Sequence, residues 1–514
     1  MTDVAEVPDA ATPVVPDSGW RRLSPRMLLV HPVIEVGKAL PAIAGAFLAG
    51  HSSGDGSSGS RWSLAIAAAV AALSLLRWFT TRFRITPEQV QMRRGLVRRR
   101  TMAAPIDRVR TVDVTSHLLH RALGLARVAI GTGTSDRKGR NALVLDGLTA
   151  GAAAALRSEL LHRGTGRPLT EPGVPAVTVQ PVEDEIARLD RSWLRYAPFT
   201  LTGAVTGLAL LGVLWRVVSE GHVDLRRLKP YRDAADHLER WPLAVDILLV
   251  LAVVAAFVAL ASTVGYLLSF WNFRLTRHSG GTLHVTRGLL TSRATSIEHR
   301  RLRGAELSEP MLLRSVGGAR ALVIATGLRV GRGAERGGEI LLPPAPRREA
   351  VRVASTVIET AMPFVVPLLP HPPAARRRRI ARALLTLALA GALLDAVALL
   401  AGWPLWLLLF SVALVLAAAP LGNDRYRSLG HTFVDGYVVS ALGSLVRRRC
   451  AVVADGVIGW NLRSSYFQRR LGLTTLTATT AAGKQHYAVE DVAPAEAIRF
   501  ADTTVPGLLT EFLA

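Results

Sequence analysis

The sequence predicts an α+β membrane protein: six transmembrane helices in three hairpins, alternating with three copies of one small antiparallel β domain, each closed by a helix. Three observations predict it. Apolar residues fall in blocks long enough to span a bilayer. Basic residues flank those blocks on one side. Between the blocks, one pattern of glycines and arginines recurs three times at constant spacing.

The blocks come first. Half of the 514 residues are hydrophobic and mean hydropathy is +0.29, with only 6% aromatic residues. A soluble core of this length rarely has that balance, whereas Ala-, Leu- and Val-rich spans produce it. A span needs roughly 20 apolar residues. Six segments meet or approach this: Val33–Gly50, Trp62–Phe79, Ala197–Trp215, a stretch within Pro242–Trp271, Ala383–Trp403 and Pro404–Pro420. The first is the weakest, since it contains Glu35, Lys38 and Pro41. They pair through His51–Ser60, through the charged but balanced loop Val218–Arg240, and through a turn at Gly402–Pro404.

Flanking charge orients the pairs. Arg21, Arg22 and Arg26 precede the first span, and Arg77, Arg82 and Arg84 follow the second. Arg188, Arg191 and Arg195 precede the third, and Arg274 and Arg277 follow the fourth. Arg376–Arg379 and Arg382 precede the fifth, and Arg425 and Arg427 follow the sixth. Positive charge collects on the cytoplasmic side. Both termini and all three soluble segments are therefore expected in the cytoplasm, with the chain multi-pass in the plasma membrane.

The repeat is arithmetical. Gly95 and Gly124, Gly288 and Gly317, and Gly443 and Gly472 are each 29 residues apart. Arg121, Arg314 and Arg469 each stand three residues before the second glycine. Stretches such as FRIT and FRLT alternate as half-buried strands do. The first glycine suits a tight hairpin, and the second a left-handed helix cap. An amphipathic helix closes each unit at about 149–162, 347–360 and from 494 to 501 or beyond.

The chain thus divides into a disordered tail (1–20), hairpin one (21–79), a first domain (80–165), a linker (166–195) and hairpin two (196–271). A second domain (272–362), a Pro/Arg-rich linker (363–382), hairpin three (383–422) and a third domain (423–514) follow. The pattern FRIT…RRGLVRRR…PIDRV…LLHRALGLARVAI resembles the bacterial pleckstrin-homology-like domain of the second type. Three copies with paired helices resemble the YdbT-like membrane proteins. LLVHP at 28–32 and LLPHP at 368–372, each before a hairpin, fit the same module. The second copy lacks the Pro105–Ile106 pair, and the third lacks the Phe-Arg-Ile-Thr form. The resemblance implies a PH-like fold in each soluble segment, a membrane location and a single-domain YdbS-like membrane partner. It implies no biochemical activity, beyond an association of some members with antimicrobial-peptide tolerance.

Chemistry is sparse. The formal charge of +23 is almost all Arg, with four Lys, which matches an Arg- and Ala-favouring composition. A basic membrane protein of this kind faces anionic lipid rather than nucleic acid. Cys450 is the one cysteine, so no internal disulfide and no Cys-based metal site is available. His117 and His120 stand i, i+3 without further ligands, which leaves a metal site unsupported. The runs Ile130–Arg140 and Gly331–Gly338 are Gly-rich but lack a phosphate-loop ending. No nucleophile elbow or zinc-protease motif occurs. No enzyme and no cofactor are expected.

Two sets of side chains remain. Arg93, Arg94, Arg98, Arg99 and Arg100 surround the first hairpin turn, and Arg447, Arg448 and Arg449 the third. They are the candidates for contact with anionic headgroups, or simply a solvated basic face. Asp246 and Asp395 lie inside predicted spans, where a carboxylate marks an ion path or a helix–helix hydrogen bond. The expected function is a non-enzymatic membrane scaffold. Its cytoplasmic domains would bind a protein partner, the inner leaflet or one another as a homo-oligomer, in envelope stress or peptide tolerance. The alternative is a transporter or export component that uses the six helices directly.

Overall fold

The computed structural model describes residues 19–30, 32–33, 35, 39, 56–86, 88–95, 99–106, 109, 111–131, 143–163, 184–220, 242–278, 281–328, 339–404 and 408–507. Residues 1–18 of the predicted tail, most of the first span, residues 166–183 of the linker, the loop 221–240, the run 331–338 and Arg98 lie outside them. The chain forms two compact units, Met1–Ala176 and Val177–Ala514.

In the first unit, β1 (Arg21–Arg22) pairs antiparallel with β2 (Arg82–Ile85), bracketing helix α1 (Gly56–Thr80). β3 (Gln89–Arg94) and β4 (Arg100–Pro105) continue the meander. Val90 and Met92 are buried while Gln89 and Gln91 are half-buried, the alternation that makes this segment a strand. Gly95 turns the chain at φ 111°. β5 (Thr111–His117), helix α2 (Leu118–Ala122), β6 (Leu125–Gly131), β7 (Leu143–Thr149) and helix α3 (Ala150–Arg163) complete the repeat. Gly124 ends α2 at φ 67°, as its capping role requires.

The segment before the first hairpin belongs to this core. Met27 is buried against Gly147, whose missing Cβ leaves room for the thioether. Ser24 donates its backbone N–H to the Gly147 carbonyl, and Trp78 of α1 donates Nε1 to the Ser24 carbonyl, 3.1 Å in each case. Burying Met27 contributes about 2 kcal/mol.

The second unit repeats the plan twice. β8 (Asp184–Arg188) pairs with β9 (Arg274–Arg277) as β1 does with β2. Between them lie a 3-10 turn (Arg191–Phe199) and helices α4 (Leu201–Glu220) and α5 (Leu243–Phe270). β10 (Thr282–Arg287), β11 (Thr291–Glu298), β12 (Leu302–Pro310), helix α6 (Met311–Ser315), β13 (Gly318–Ala325), β14 (Ile340–Pro346) and helix α7 (Arg347–Ile358) follow. Helices α8 (Met362–Val365), α9 (Pro373–Leu400) and α10 (Leu408–Arg427) lead to the third repeat. That repeat comprises β15 (Gly430–Val434), β16 (Tyr437–Leu442), β17 (Val446–Val453), β18 (Val457–Arg463), helix α11 (Tyr466–Arg470), β19 (Thr474–Thr480), β20 (His486–Val492) and helix α12 (Pro494–Thr504).

Sheet boundaries do not follow repeat boundaries here. β12 of the second repeat pairs antiparallel with β17 of the third, from Gly304↔Val452 to Pro310↔Val446. One six-stranded sheet, ordered β14-β13-β12-β17-β16-β15, therefore joins the second half of one repeat to the first half of the next. The third repeat's second half, β18-β19-β20, forms a separate sheet backed by Ala497, Phe500 and Ala501 of α12.

Among the described residues, four helices are long and apolar enough to cross a membrane, at Arg61–Thr80, Val245–Phe270, Pro373–Leu400 and Leu408–Arg427. A broken pair, Arg191–Phe199 and Gly203–Val213, bent by 62°, makes a fifth if counted as one span. Pro198, which cannot donate to a helical ladder, lies inside the first segment just before the break. Small residues set helix contact: a Cβ on Gly203 would strike Ser262, and one on Gly391 would press Ser411. Ser262 donates to the Ala197 carbonyl at 2.5 Å.

Candidate functional site

In the second unit the ends of the α9–α10 hairpin are locked into the β repeats by buried and half-buried carboxylates. Asp491, near the end of β20, is the deepest of them, with 0% of its side chain exposed. Arg378 and Arg379, in the second turn of α9, donate to its two oxygens at 2.5 and 2.6 Å. Gln468 Nε2 of α11 donates at 2.9 Å. Arg379 also reaches Glu490 at 2.5 Å. Each guanidinium is 12% exposed, so the cluster excludes most water. Charge-assisted bonds in such surroundings are strong, and removing one partner strands the other.

Two histidines extend this cluster. His371 lies in the LLPHP stretch before α9, and His431 on β15. His371 donates Nδ1–H to the Asp491 carbonyl at 3.2 Å, and its Nε2 lies 3.2 Å from His431 Nδ1. That tautomer leaves His371 Nε2 to accept from His431. Tyr426 of α10 donates to the His371 carbonyl at 2.9 Å. His431 packs edge-on to His371 and to Phe500. Burial, then the neighbouring His371 ring, pushes the His431 pKa down to about 4. Burial also lowers His371, against the opposing pull of Asp491 and Glu496. Glu496 lies 3.4 Å from His431 Nε2 but makes no hydrogen bond with it. Both rings are therefore held neutral.

Asp424 performs the corresponding task at the end of α10. Ser444 donates to it at 2.8 Å, Arg447 donates to its other oxygen, and Arg314 of α6 lies 3.6 Å away. Beside it, the Met311 N–H donates to the Leu445 carbonyl at 2.7 Å. A third carboxylate, Glu306, sits under the β12–β17 seam. Lys484 Nζ is 2.6 Å from it, Arg448 Nε is 3.5 Å away, and the Cys450 thiol donates at 3.5 Å. Burial and the Glu306 charge push that thiol well above its ordinary pKa, which leaves it an unreactive core group.

The residues singled out in the sequence are dispersed. Arg93 stacks over the Trp20 ring at 4.2 Å. Arg94 is half-buried at the end of β3, Arg99 is exposed, and Arg100 opens β4. In the third copy the run is engaged by protein: Arg447 with Asp424, Arg448 with Glu306, and Arg449 with the carbonyls of Pro363 and Val366 at 2.8 and 2.6 Å. Asp246 lies in the first turn of α5 and Asp395 late in α9. Each keeps one buried carboxylate oxygen with no hydrogen-bond partner among the described residues. His120 is buried, with Nε2 3.3 Å from Asp146.

Sequence reasoning missed Asp491, Asp424, Glu306 and the histidine pair. His371 had a visible signal in the repeated LLVHP and LLPHP stretches. Arg378 and Arg379 were legible only as part of a charge run beside a span. Asp491 had none, because its arginine partners lie more than 100 residues away.

The family model described as the bacterial PH domain matches residues 38–164 and 242–361, the first two repeats together with part of the hairpin before each. No curated protein and no solved structure matches the chain.

Proposed function

We propose, from the premise that this chain is a bacterial PH-domain protein, that it is a non-enzymatic membrane scaffold whose second and third soluble modules share one platform for a protein partner or the inner leaflet. In this reading the third repeat is a divergent third PH-like module, and six helices in three hairpins anchor the three modules. The relationship to YdbT-like proteins belongs to the same reading. Arg-rich flanks on one side of the spans assign the modules and both termini to the cytoplasm and the chain to the plasma membrane.

The observation that carries the reading is the β12–β17 seam together with the carboxylate locks on either side of it. Modules linked by flexible tethers need no shared sheet. A shared sheet bolted to helix ends fixes the spacing of the surfaces it presents, which is what a scaffold requires. The exposed Arg99, which Arg98 and Arg100 flank in sequence, is the basic side chain offered to anionic headgroups, worth about 1 kcal/mol near the bilayer.

The competing transport reading rests on the orphaned oxygens of Asp246 and Asp395. Complementation separates the two. A deletion strain is scored for envelope stress and sensitivity to cationic antimicrobial peptides. A chain carrying Asp246→Asn and Asp395→Asn should restore the wild-type response. One whose seam is blocked by Gly304→Val, where a Cβ would strike the Ala451 carbonyl, should not. The opposite pattern overturns the scaffold, and so does a deletion without phenotype.

A further inference from the structure

β12 and β18 are repeat mates. Each begins 15 residues before the second conserved glycine, Gly317 or Gly472, and each leads into the short helix that this glycine ends. Each also carries a glycine at the same place, Gly304 and Gly459, and each shows the same register shift just before it against the following strand. At Gly304 the reason is visible. A Cβ there would lie 1.8 Å from the carbonyl oxygen of Ala451, because β17 crosses at that point. At Gly459 no described residue lies within 4 Å of the Cβ position, and its φ is outside the left-handed region. Neither backbone angle nor a neighbour among the described residues calls for a glycine there. A glycine inside a strand often marks the close approach of another backbone.

The rest of the strand agrees. Leu307 is 2% exposed under β17, whereas its mate Leu462 is 40% exposed. Ile458 is 65% exposed. Trp460 Nε1 is buried without a hydrogen-bond partner among the described residues. β18 pairs with β19 on one edge, and among the described residues no strand pairs with the other.

Direction and charge define the occupant. β12 ends at α6, which is tied to Asp424 at the end of α10, and β18 ends at α11, which is tied through Gln468 to Asp491 and the start of α9. Both strands therefore run toward the membrane, and an antiparallel partner anchored in the same membrane must run away from it, as β17 does. The β18 of a second copy runs the wrong way. The third strands of this chain run the right way but carry Arg100, Arg293 and Arg448 at one shared position. On β12 that position faces Ser308, through Ser308↔Arg448. On β18 the same position is Arg463, so a second copy would set arginine against arginine, which is destabilising.

We propose that the open edge of β18 docks one antiparallel strand of a different membrane-anchored polypeptide, with its backbone crossing at Gly459 and an Asp or Glu facing Arg463. The proposal rests on the scaffold reading, since the directions of β12 and β18 follow from treating α9 and α10 as spans. Strand addition of this kind draws affinity from the main chain and specificity from the alternating side chains. Arg463 then has two effects: it attracts the acidic partner and rejects self-association.

The test uses the full chain in its own membrane, with a photo-crosslinking amino acid in place of Leu462 and mass spectrometry of the adduct. The expected adduct joins Leu462 to a strand of a different membrane protein with a carboxylate aligned to Arg463. Gly459→Val should lower its yield at least fivefold while leaving the thermal midpoint of the chain unchanged. Arg463→Glu should replace it with a self-adduct near Arg100. No adduct, an adduct to a second copy in the wild type, a partner strand without the carboxylate, or indifference to Gly459→Val each overturns the proposal. The scaffold reading is judged by the complementation assay, so a failed crosslink beside intact complementation rejects the docking edge alone.

Discussion

Asp491 and Asp424 hold opposite ends of the same hairpin, yet their surroundings differ. Asp491 is fully buried and takes two guanidinium groups and an amide. Asp424 keeps 29% of its side chain exposed and works with a serine, one close arginine and one more distant. The entry of the hairpin is thus fixed in a dry ionic cluster, and its exit by a partly solvated one. Solvent screens the second and not the first, so equal-looking ion pairs should differ severalfold in worth.

The largest effect is expected at the dry end. Asp491→Ala leaves Arg378 buried without a carboxylate and Arg379 with Glu490 alone, and should cost about 3–5 kcal/mol. A thermal melt of the detergent-solubilised chain reads this directly, and a loss below 1 kcal/mol would abolish the contrast between the two ends.

Next comes pH, which should act on the same end. His431 has its folded pKa lowered to about 4, against roughly 6.5 in an unfolded chain. Protons bind the unfolded form first, so the contribution is complete above pH 6.5 and is lost as pH falls toward 4. The integrated loss is on the order of 3 kcal/mol. Melting midpoints between pH 7.5 and 4 should show the decline, and His431→Gln should flatten it. A decline of equal size in that variant would assign the pH response to other groups.

Asp424→Ala should cost only about 1 kcal/mol, and high salt should shrink the difference further. Arg99→Gln, at an exposed position with no partner among the described residues, should change stability by less than about 0.5 kcal/mol. Its effect belongs instead in flotation of the reconstituted chain on anionic against neutral vesicles.

Much of the architecture was legible. Alternation marked FRIT and FRLT as strands, and β2 and β9 stand there. The paired glycines marked turns and caps, and all six have positive φ. The closing helices begin at Ala150, Arg347 and Pro494, within a residue of expectation. These features were readable because each depends on local backbone sterics or on the period of neighbouring side chains.

The site was far less legible. The runs Arg93–Arg100 and Arg447–Arg449 look alike as text, yet the second is occupied by Asp424, Glu306 and two carbonyls. Sequence counts charge without revealing its partner. The same holds for α9, whose arginines serve the topology rule and the Asp491 cluster at once.

By itself, then, the sequence determined the strand and helix order within the repeat and four of the six expected apolar spans, since these follow from local periodicity and steric preference. Only the tertiary structure decided that β12 takes β17 as its neighbour, that a buried Asp491 receives two arginines, and that β18 ends its sheet with a glycine that no described residue approaches. Those outcomes turn on which distant backbones meet, and no local period encodes that choice.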